Sequence, residues 1–212
     1  MHSILFVDDH TILRKGVIKI LQEVVALPLT FAEASDGYSA IQMINANHYD
    51  LVLLDISLPD QNGLNLLKQI RLQHPKLPIV ILSSYPDELY AVRALRAGAF
   101  GYLNKCCNPM ILKEAVEKVL TGSKYVSSIQ AELLADAICD NREDKELHES
   151  LSDREHLLAC MLTSGQTITE IAKELNLSSK TVSTYRTRIL EKLQLKSTAD
   201  IIAYCIQHKL TI

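Results

Sequence analysis

Five short apolar runs punctuate the first half of the chain: ILFV (4–7), LTFAEA (29–34), LVLLD (51–55), IVILS (79–83) and GYL (101–103). The stretches between them, such as TILRKGVIKILQEV and GLNLLKQIRLQH, place apolar residues at helical spacing and predict amphipathic helices. A run that is apolar on both faces needs cover on both faces. Strands of this kind, alternating with helices, predict a parallel sheet. Right-handed crossovers wind it into an α/β doubly wound five-stranded sandwich. MILKEAVEKVL supplies the fifth helix, ended by Gly122 and Ser123.

Beyond residue 125 the pattern changes. SSIQAELLADAICD (127–140) predicts a helix with Ile129, Leu133, Ala137 and Ile138 on its apolar side, and NREDKELHE (141–149) predicts a polar joint. From residue 151 every pattern is helical. Ser152 and Glu155 have capping-box spacing, and Gly165 suits a helix end. TITEIAKEL (167–175), a turn at NLSSK capped by Ser178 or Ser179, and TVSTYRTRILEKL (181–193) form a helix-turn-helix pattern, followed by STADIIAYCIQHKL. The expected division is an α/β domain over 1–125, a helical and acidic linker over 126–150, and an all-α helix-turn-helix domain over 151–212. Charge follows that division: 12 basic against 12 acidic residues in the first part, 2 against 7 in the second, 8 against 6 in the third.

Hydrophobic residues make up 48% of the chain and charged ones 22%, which is ample for two cores. No apolar run approaches the ~20 residues of a membrane span. The start, MHSILFVDDH, lacks the basic region and apolar stretch of a secretion signal, so a cytoplasmic protein with no membrane partner is expected. The cysteines, Cys106, Cys107, Cys139, Cys160 and Cys205, show no metal-binding spacing and read as reduced thiols, mostly packed as small hydrophobes.

In an open parallel sheet, ligands bind outside the carboxyl ends of the strands. The first strand ends at Asp8 and Asp9, the third at Asp55 and the fourth at Ser83 and Ser84, while Lys105 follows the fifth. The topology therefore brings three acids, a hydroxyl and a lysine to one edge. Clustered carboxylates need positive charge between them, and an all-oxygen ligand set suits a hard divalent ion such as Mg2+. With phosphate oxygens neutralised, a remaining carboxylate can attack phosphorus and form an aspartyl phosphate. Lys105 and the Ser83 hydroxyl would then bind the phosphoryl oxygens. Taken singly, Asp9 reads equally as a helix cap, Ser83 as a turn residue and Lys105 as a solvated loop residue. Their joint placement favours the chemistry.

These residues closely resemble a response-regulator receiver domain: the pair Asp8 and Asp9, the spacing Asp55, Pro59, Gly63, the Ser83 position, and GYLNK with Lys105. LSDREHLL and TITEIAKELNLSSKTVSTYRTRILEKL resemble a LuxR-type helix-turn-helix. Together they resemble the NarL/FixJ class of two-component transcription regulators. The resemblance implies that Asp55 accepts a phosphoryl group from a sensor histidine kinase, or from acetyl phosphate. It implies that Asp9, Asp55 and the backbone carbonyl of Ser57 ligate Mg2+, with Asp8 acting through water. Ser83 and Lys105 would read the phosphoryl group, and Tyr102 would be the switch aromatic that turns inward when Ser83 is drawn to it. The implied output is promoter binding by a homodimer, with RNA polymerase as a further partner, and with slow self-dephosphorylation rather than enzymatic turnover. Cys106 stands where many receivers have proline, and Leu58 where methionine is frequent.

In helix 181–193, Val182, Ile189 and Leu193 share the inward face, bordered by Tyr185. Ser183, Thr184, Thr187 and Arg188 point away from it. The resemblance puts base contacts at Ser183, Thr184 and Thr187. Lys180, Arg186, Arg188 and Lys192 are candidates for phosphates, and Arg188 also for a guanine edge. The plain alternative is a solvated basic helix face. In the last helix, Ile201, Ile202, Tyr204 and Ile206 are expected partly in the core and partly at a dimer contact. Two other classes share parts of the pattern. A Mg-dependent phosphohydrolase with an aspartate nucleophile would need an acid/base aspartate shortly after Asp55, but Ser57 stands two residues on. A DNA-binding regulator that works unphosphorylated would look much the same in sequence.

Overall fold

A computed structural model of the chain describes residues 1–139, 147–175, 177–208 and 210. It comprises two compact units, Met1–Ala135 and Asp136–Ile212.

In the first unit, β1 (His2–Val7), β2 (Leu29–Ala34), β3 (Leu51–Asp55), β4 (Ile79–Ser83) and β5 (Gly101–Asn104) form a parallel sheet in the order β2-β1-β3-β4-β5. The connecting helices are α1 (Thr11–Val24), α2 (Gly37–Ala46), α3 (Gly63–Gln73) and α4 (Asp87–Arg96), with α5 (Pro109–Leu120) after β5. The chain runs outward from β1 to β2, then reverses across the sheet to β3, which makes the β1/β3 boundary the topological switch point.

Alternation along β1, β3 and β4 explains why those runs are apolar throughout. Ile4, Phe6, Leu51, Leu53, Val80 and Leu82 pack with Val17 and Leu21 of α1 and with Leu112 and Val116 of α5. The alternate residues Leu5, Val7, Val52, Leu54, Ile79 and Ile81 are equally buried, on the face that α2, α3 and α4 cover. Burying each such side chain contributes about 1.5–3 kcal/mol. Side chains start three of these helices: Asp36 accepts from Ser39 N at 2.7 Å, Asn62 from Leu64 N at 2.8 Å and Asn108 from Met110 N at 2.9 Å.

The next helix, α6 (Ser128–Cys139), starts where expected but buries a different residue. Ile129 and Ile138 are exposed and Leu133 and Ala137 half-buried, whereas Gln130 is turned in, with 2% of its surface exposed. The cause is local. Ser127 N donates to Gln130 Oε1 at 3.2 Å, and Gln130 N donates to Ser127 Oγ at 3.2 Å. This reciprocal cap fixes the amide on the inner side. Most of the expected joint 141–149 lies outside the described residues; Leu147–Ser150 form one turn of 3-10 helix.

The second unit holds α7 (Asp153–Thr163), α8 (Ile168–Glu174), α9 (Ser179–Leu193) and α10 (Thr198–Gln207). Capping boxes start three of them, at Ser152/Glu155, Thr167/Glu170 and Ser197/Asp200, and Ser178 caps α9. Gly165 after α7 and Gln194 after α9 take left-handed conformations, φ 83° and 57°. Leu157, Leu158, Ile171, Val182, Ile189, Leu193, Ile201 and Cys205 are buried. On α10 the i, i+4 pair Ile201 and Cys205 faces α7 and α9. Of the positions expected to divide between core and dimer contact, Ile202 and Tyr204 are half-buried, and Ile206 is exposed because it lies off that face.

Among the described thiols, Cys160 and Cys205 are buried, Cys107 is half-buried and Cys106 is exposed, so only some pack as small hydrophobes. Burial pushes the Cys205 thiol up to about 11. No cis peptide occurs among the described residues, the bond after Lys105 included. No described helix is long and apolar enough to cross a membrane.

Candidate functional site

The carboxyl ends of β1, β3, β4 and β5 meet at one edge of the first unit. Val7 pairs with Leu54, so Asp8 and Asp55 follow side by side on adjacent strands. Both are buried, at 0% and 1% exposure. Lys105 Nζ lies 2.8 Å from Asp8 Oδ2 and 2.8 Å from Asp55 Oδ2. Asp9 is more open, with His10 Nδ1 2.7 Å from its Oδ1 and 3.1 Å from Asp8 Oδ1. Donor atoms of Asp8, Asp9, His10 and Asp55 all lie within 4.8 Å of one another. Ser57 donates its main-chain N–H toward Asp55.

The loop after β3 is held close. Gly63 N donates to Ile56 O at 2.8 Å, and a Cβ on Gly63 would lie 2.0 Å from the Asp55 carbonyl oxygen. Only glycine lets α3 begin there.

Electrostatics follow from burial and count. Burial pushes the Asp55 carboxyl above its ordinary range, and the Lys105 ammonium only partly offsets this. Burial pulls Lys105 down, yet Asp55 and Asp8 outweigh it and hold the ammonium above its ordinary value. One cation between two buried carboxylates, with Asp9 beside them, leaves the edge net negative. Oxygen donors with a deficit of positive charge fit a hard divalent cation.

Ser83 is fully buried, and its Oγ accepts from Tyr85 N at 3.1 Å. Tyr102 is also fully buried; it is turned inward, and its hydroxyl donates to Tyr85 O at 2.8 Å. Burial pushes that hydroxyl's pKa well up. Leu58 is buried, and exposed Cys106 donates its N–H to Asn104 Oδ1 at 2.8 Å.

In the second unit, Lys180, Ser183, Thr184, Thr187 and Arg188 are exposed along α9, opposite buried Val182, Ile189 and Leu193. Thr184 Oγ1 donates to Lys180 O at 3.0 Å and Thr187 Oγ1 to Ser183 O at 3.1 Å. Tyr185 is half-buried at the border. The other two basic candidates are engaged within the unit. Arg186 donates to Thr198 Oγ1 at 3.3 Å, and Lys192 Nζ lies 2.6 Å from Glu155 Oε2 and 3.0 Å from Ser150 O. Burial works against the Glu155 charge, but Lys192 and Ser152 outweigh it and hold the carboxyl below its ordinary 4.5.

Residues 4–117 match the model of the response regulator receiver domain, and residues 149–205 match that of the bacterial regulatory proteins of the luxR family. The chain is a response regulator of the NarL/FixJ class. The response regulator UvrY of Escherichia coli is 33% identical over 210 residues, covering 99% of this chain and 96% of that one. Response regulator GacA of Pseudomonas viridiflava is 30% identical over 208 residues, covering 98% and 97%. Among solved structures, RcsB from Salmonella enterica serovar Typhimurium, bound to a promoter in the presence of phosphomimetic BeF3−, is similar at 25% identity, covering 96% of this chain and 97% of that one, with a TM-score of 0.58. This response regulator is accordingly a DNA-binding transcription regulator of a two-component system.

Three residues of the response regulator's first unit escaped sequence reasoning. His10 directly follows the acidic pair, a position whose spacing was the signal. Asn62 is buried and caps α3 one residue before Gly63. Gln130 stands three residues after Ser127, which is capping-box spacing. A cavity of 510 Å3 in this unit opens at the other end of the sheet, against His2, Tyr49, Asp50 and Leu77, and none of the strand-end acids borders it.

Proposed function

We propose that this response regulator takes a phosphoryl group on Asp55 and thereby controls promoter binding by α9. The observation that carries the reading is Lys105, which bridges Asp8 and Asp55 at 2.8 Å each. A buried carboxylate beside a fixed ammonium is placed for attack on phosphorus. An Asp55 oxygen forms the new P–O bond as the P–N bond to a sensor kinase's histidine breaks, and the imidazole leaves. Lys105 Nζ and Ser83 Oγ receive the incoming phosphoryl oxygens. Asp9, Asp55 and the Ser57 carbonyl, with Asp8 behind them, would hold Mg2+, which supplies charge neutralisation of the phosphoryl oxygens. No acid/base aspartate stands at Ser57, so slow self-dephosphorylation is the only hydrolysis assigned.

The working parts are a receiver over 1–125, a linker over 126–150 and a DNA-binding domain over 151–212. Ser183, Thr184 and Thr187 read base edges, Arg188 a guanine or a phosphate, and Lys180 a phosphate. Arg186 and Lys192 are kept as phosphate candidates reached by giving up their present partners. Two copies on a promoter, a cytoplasmic setting and contact with RNA polymerase complete the proposal. Its test is intact mass after incubation with acetyl phosphate and Mg2+. One phosphoryl adduct is expected on the native chain and none on Asp55→Asn or without Mg2+. An adduct that persists in Asp55→Asn would sink the assignment.

A further inference from the structure

Gln130 is a buried polar side chain that phosphoryl chemistry does not use. Its amide is fully committed. Oε1 accepts from Ser127 N at 3.2 Å, closing the cap of α6. Nε2 donates one hydrogen to Tyr102 O at 2.8 Å and the other to Asp87 Oδ2 at 3.0 Å. Asp87 lies in the first turn of α4. One amide therefore ties three elements: β5, α4 and the helix that leads toward the DNA-binding domain.

The same contacts lead back to the acidic edge. Tyr102 is held at both ends, its hydroxyl by Tyr85 O and its carbonyl by Gln130. Asn104 Nδ2 also donates to Tyr85 O, at 3.3 Å. Tyr85 N in turn donates to Ser83 Oγ, at the end of β4. Drawing Ser83 Oγ toward a group on Asp55 removes the acceptor from Tyr85 N. The β4–α4 loop that carries Asp87 then loses one of the bonds that fix it. The Gln130–Asp87 bond joins the first turn of α4, which follows this loop, to the start of α6.

We propose that Gln130 is a positioning residue that clamps the start of α6 to α4 and β5, and that occupancy of Asp55 loosens this clamp. The inference rests on Asp55 being the phosphoacceptor. It explains why an amide is required here. A glutamate would cap α6 equally well but would set a carboxylate against Asp87 and the Tyr102 carbonyl. A clamp whose strength differs between two states is what couples one site to another.

The test is hydrogen exchange over residues 126–135 in the full-length chain, paired with intact mass. Native protein, Gln130→Glu and Ser127→Ala are each measured with and without acetyl phosphate and Mg2+. The native chain is expected to show about tenfold faster exchange there on phosphorylation, the loss of one hydrogen bond to a charged group. Gln130→Glu should show that faster exchange unphosphorylated, gain little more on phosphorylation, and still take its adduct on Asp55. Ser127→Ala, which loses only the Oγ half of the cap and keeps Gln130 docked through Oε1 and Nε2, should retain the phosphorylation-dependent change. An adduct with unchanged exchange over 126–135 overturns the coupling and leaves Asp55 as acceptor. Faster exchange in Gln130→Glu with no adduct on any variant overturns the acceptor reading and upholds the clamp. Exchange in Gln130→Glu equal to native overturns the clamp itself.

Discussion

The acidic edge and the α9 face are built in opposite ways. The edge collects Asp8, Asp9, Asp55, Ser83 and Lys105 from four strand ends, and four of the five side chains are almost wholly buried. The α9 face comes from one helix, with Lys180, Ser183, Thr184, Thr187 and Arg188 exposed. Buried charges are interdependent, because removing one leaves its partners unpaired in a poor solvent. Exposed side chains on a helix act nearly alone. A change at the edge should therefore strike stability and chemistry together, while a change among the exposed residues of α9 should strike binding only.

The strongest way to break that contrast is Lys105→Ala. It leaves Asp8 and Asp55 facing each other, and the first unit is expected to lose about 3–5 kcal/mol in urea unfolding at neutral pH. Millimolar Mg2+ should restore part of the loss. A cost under about 1 kcal/mol would show that the edge is not the coupled site described. Gly63→Ala comes next, at about 2–3 kcal/mol, since its Cβ would overlap the Asp55 carbonyl.

Asp55→Asn tests the sign. Because burial raises the folded pKa of Asp55, its charged form costs stability above that value and costs nothing below the ordinary 3.8. The variant should melt higher than native at pH 7, and the difference should vanish as the pH falls below 3.8.

The members of the edge were legible because each stands at the end of an apolar run, and strand ends are where a parallel sheet gathers ligands. The direction of α9 was legible because one helical period sorts Val182, Ile189 and Leu193 from Ser183 and Thr187. What escaped depended on neighbours. Hydropathy favoured Ile129 and Ile138 on α6, but a capping side chain decided which side turned in. On α10 a helical wheel does not separate Cys205 from Ile206 until α7 and α9 are in place. Lys192 reads as one more basic residue on a DNA-facing helix, and only the fold brings Glu155 to it.

Smaller effects sharpen the α9 side. Arg188→Ala should weaken promoter binding by about 1–3 kcal/mol with the melting temperature unchanged. Lys180→Ala should weaken all DNA sequences alike and reduce the salt slope by about 1. Lys192→Met should cost the second unit about 1 kcal/mol, because a 38% exposed ammonium is well screened, and should remove at most one phosphate contact. Glu155 carries the matching pH dependence. Its lowered pKa supplies stability above the ordinary 4.5 that is lost as the pH falls through the folded value, and Lys192→Met should flatten that acid limb.

The order of parts along the chain has a consequence for quality control during synthesis. Asp8 emerges first, Asp55 follows, and Lys105 completes the acidic edge before any residue of α9 has been made. A ribosome that stops early therefore releases a receiver without α9, never α9 without its receiver. Every chain that carries α9 has therefore already made the whole of the acidic edge.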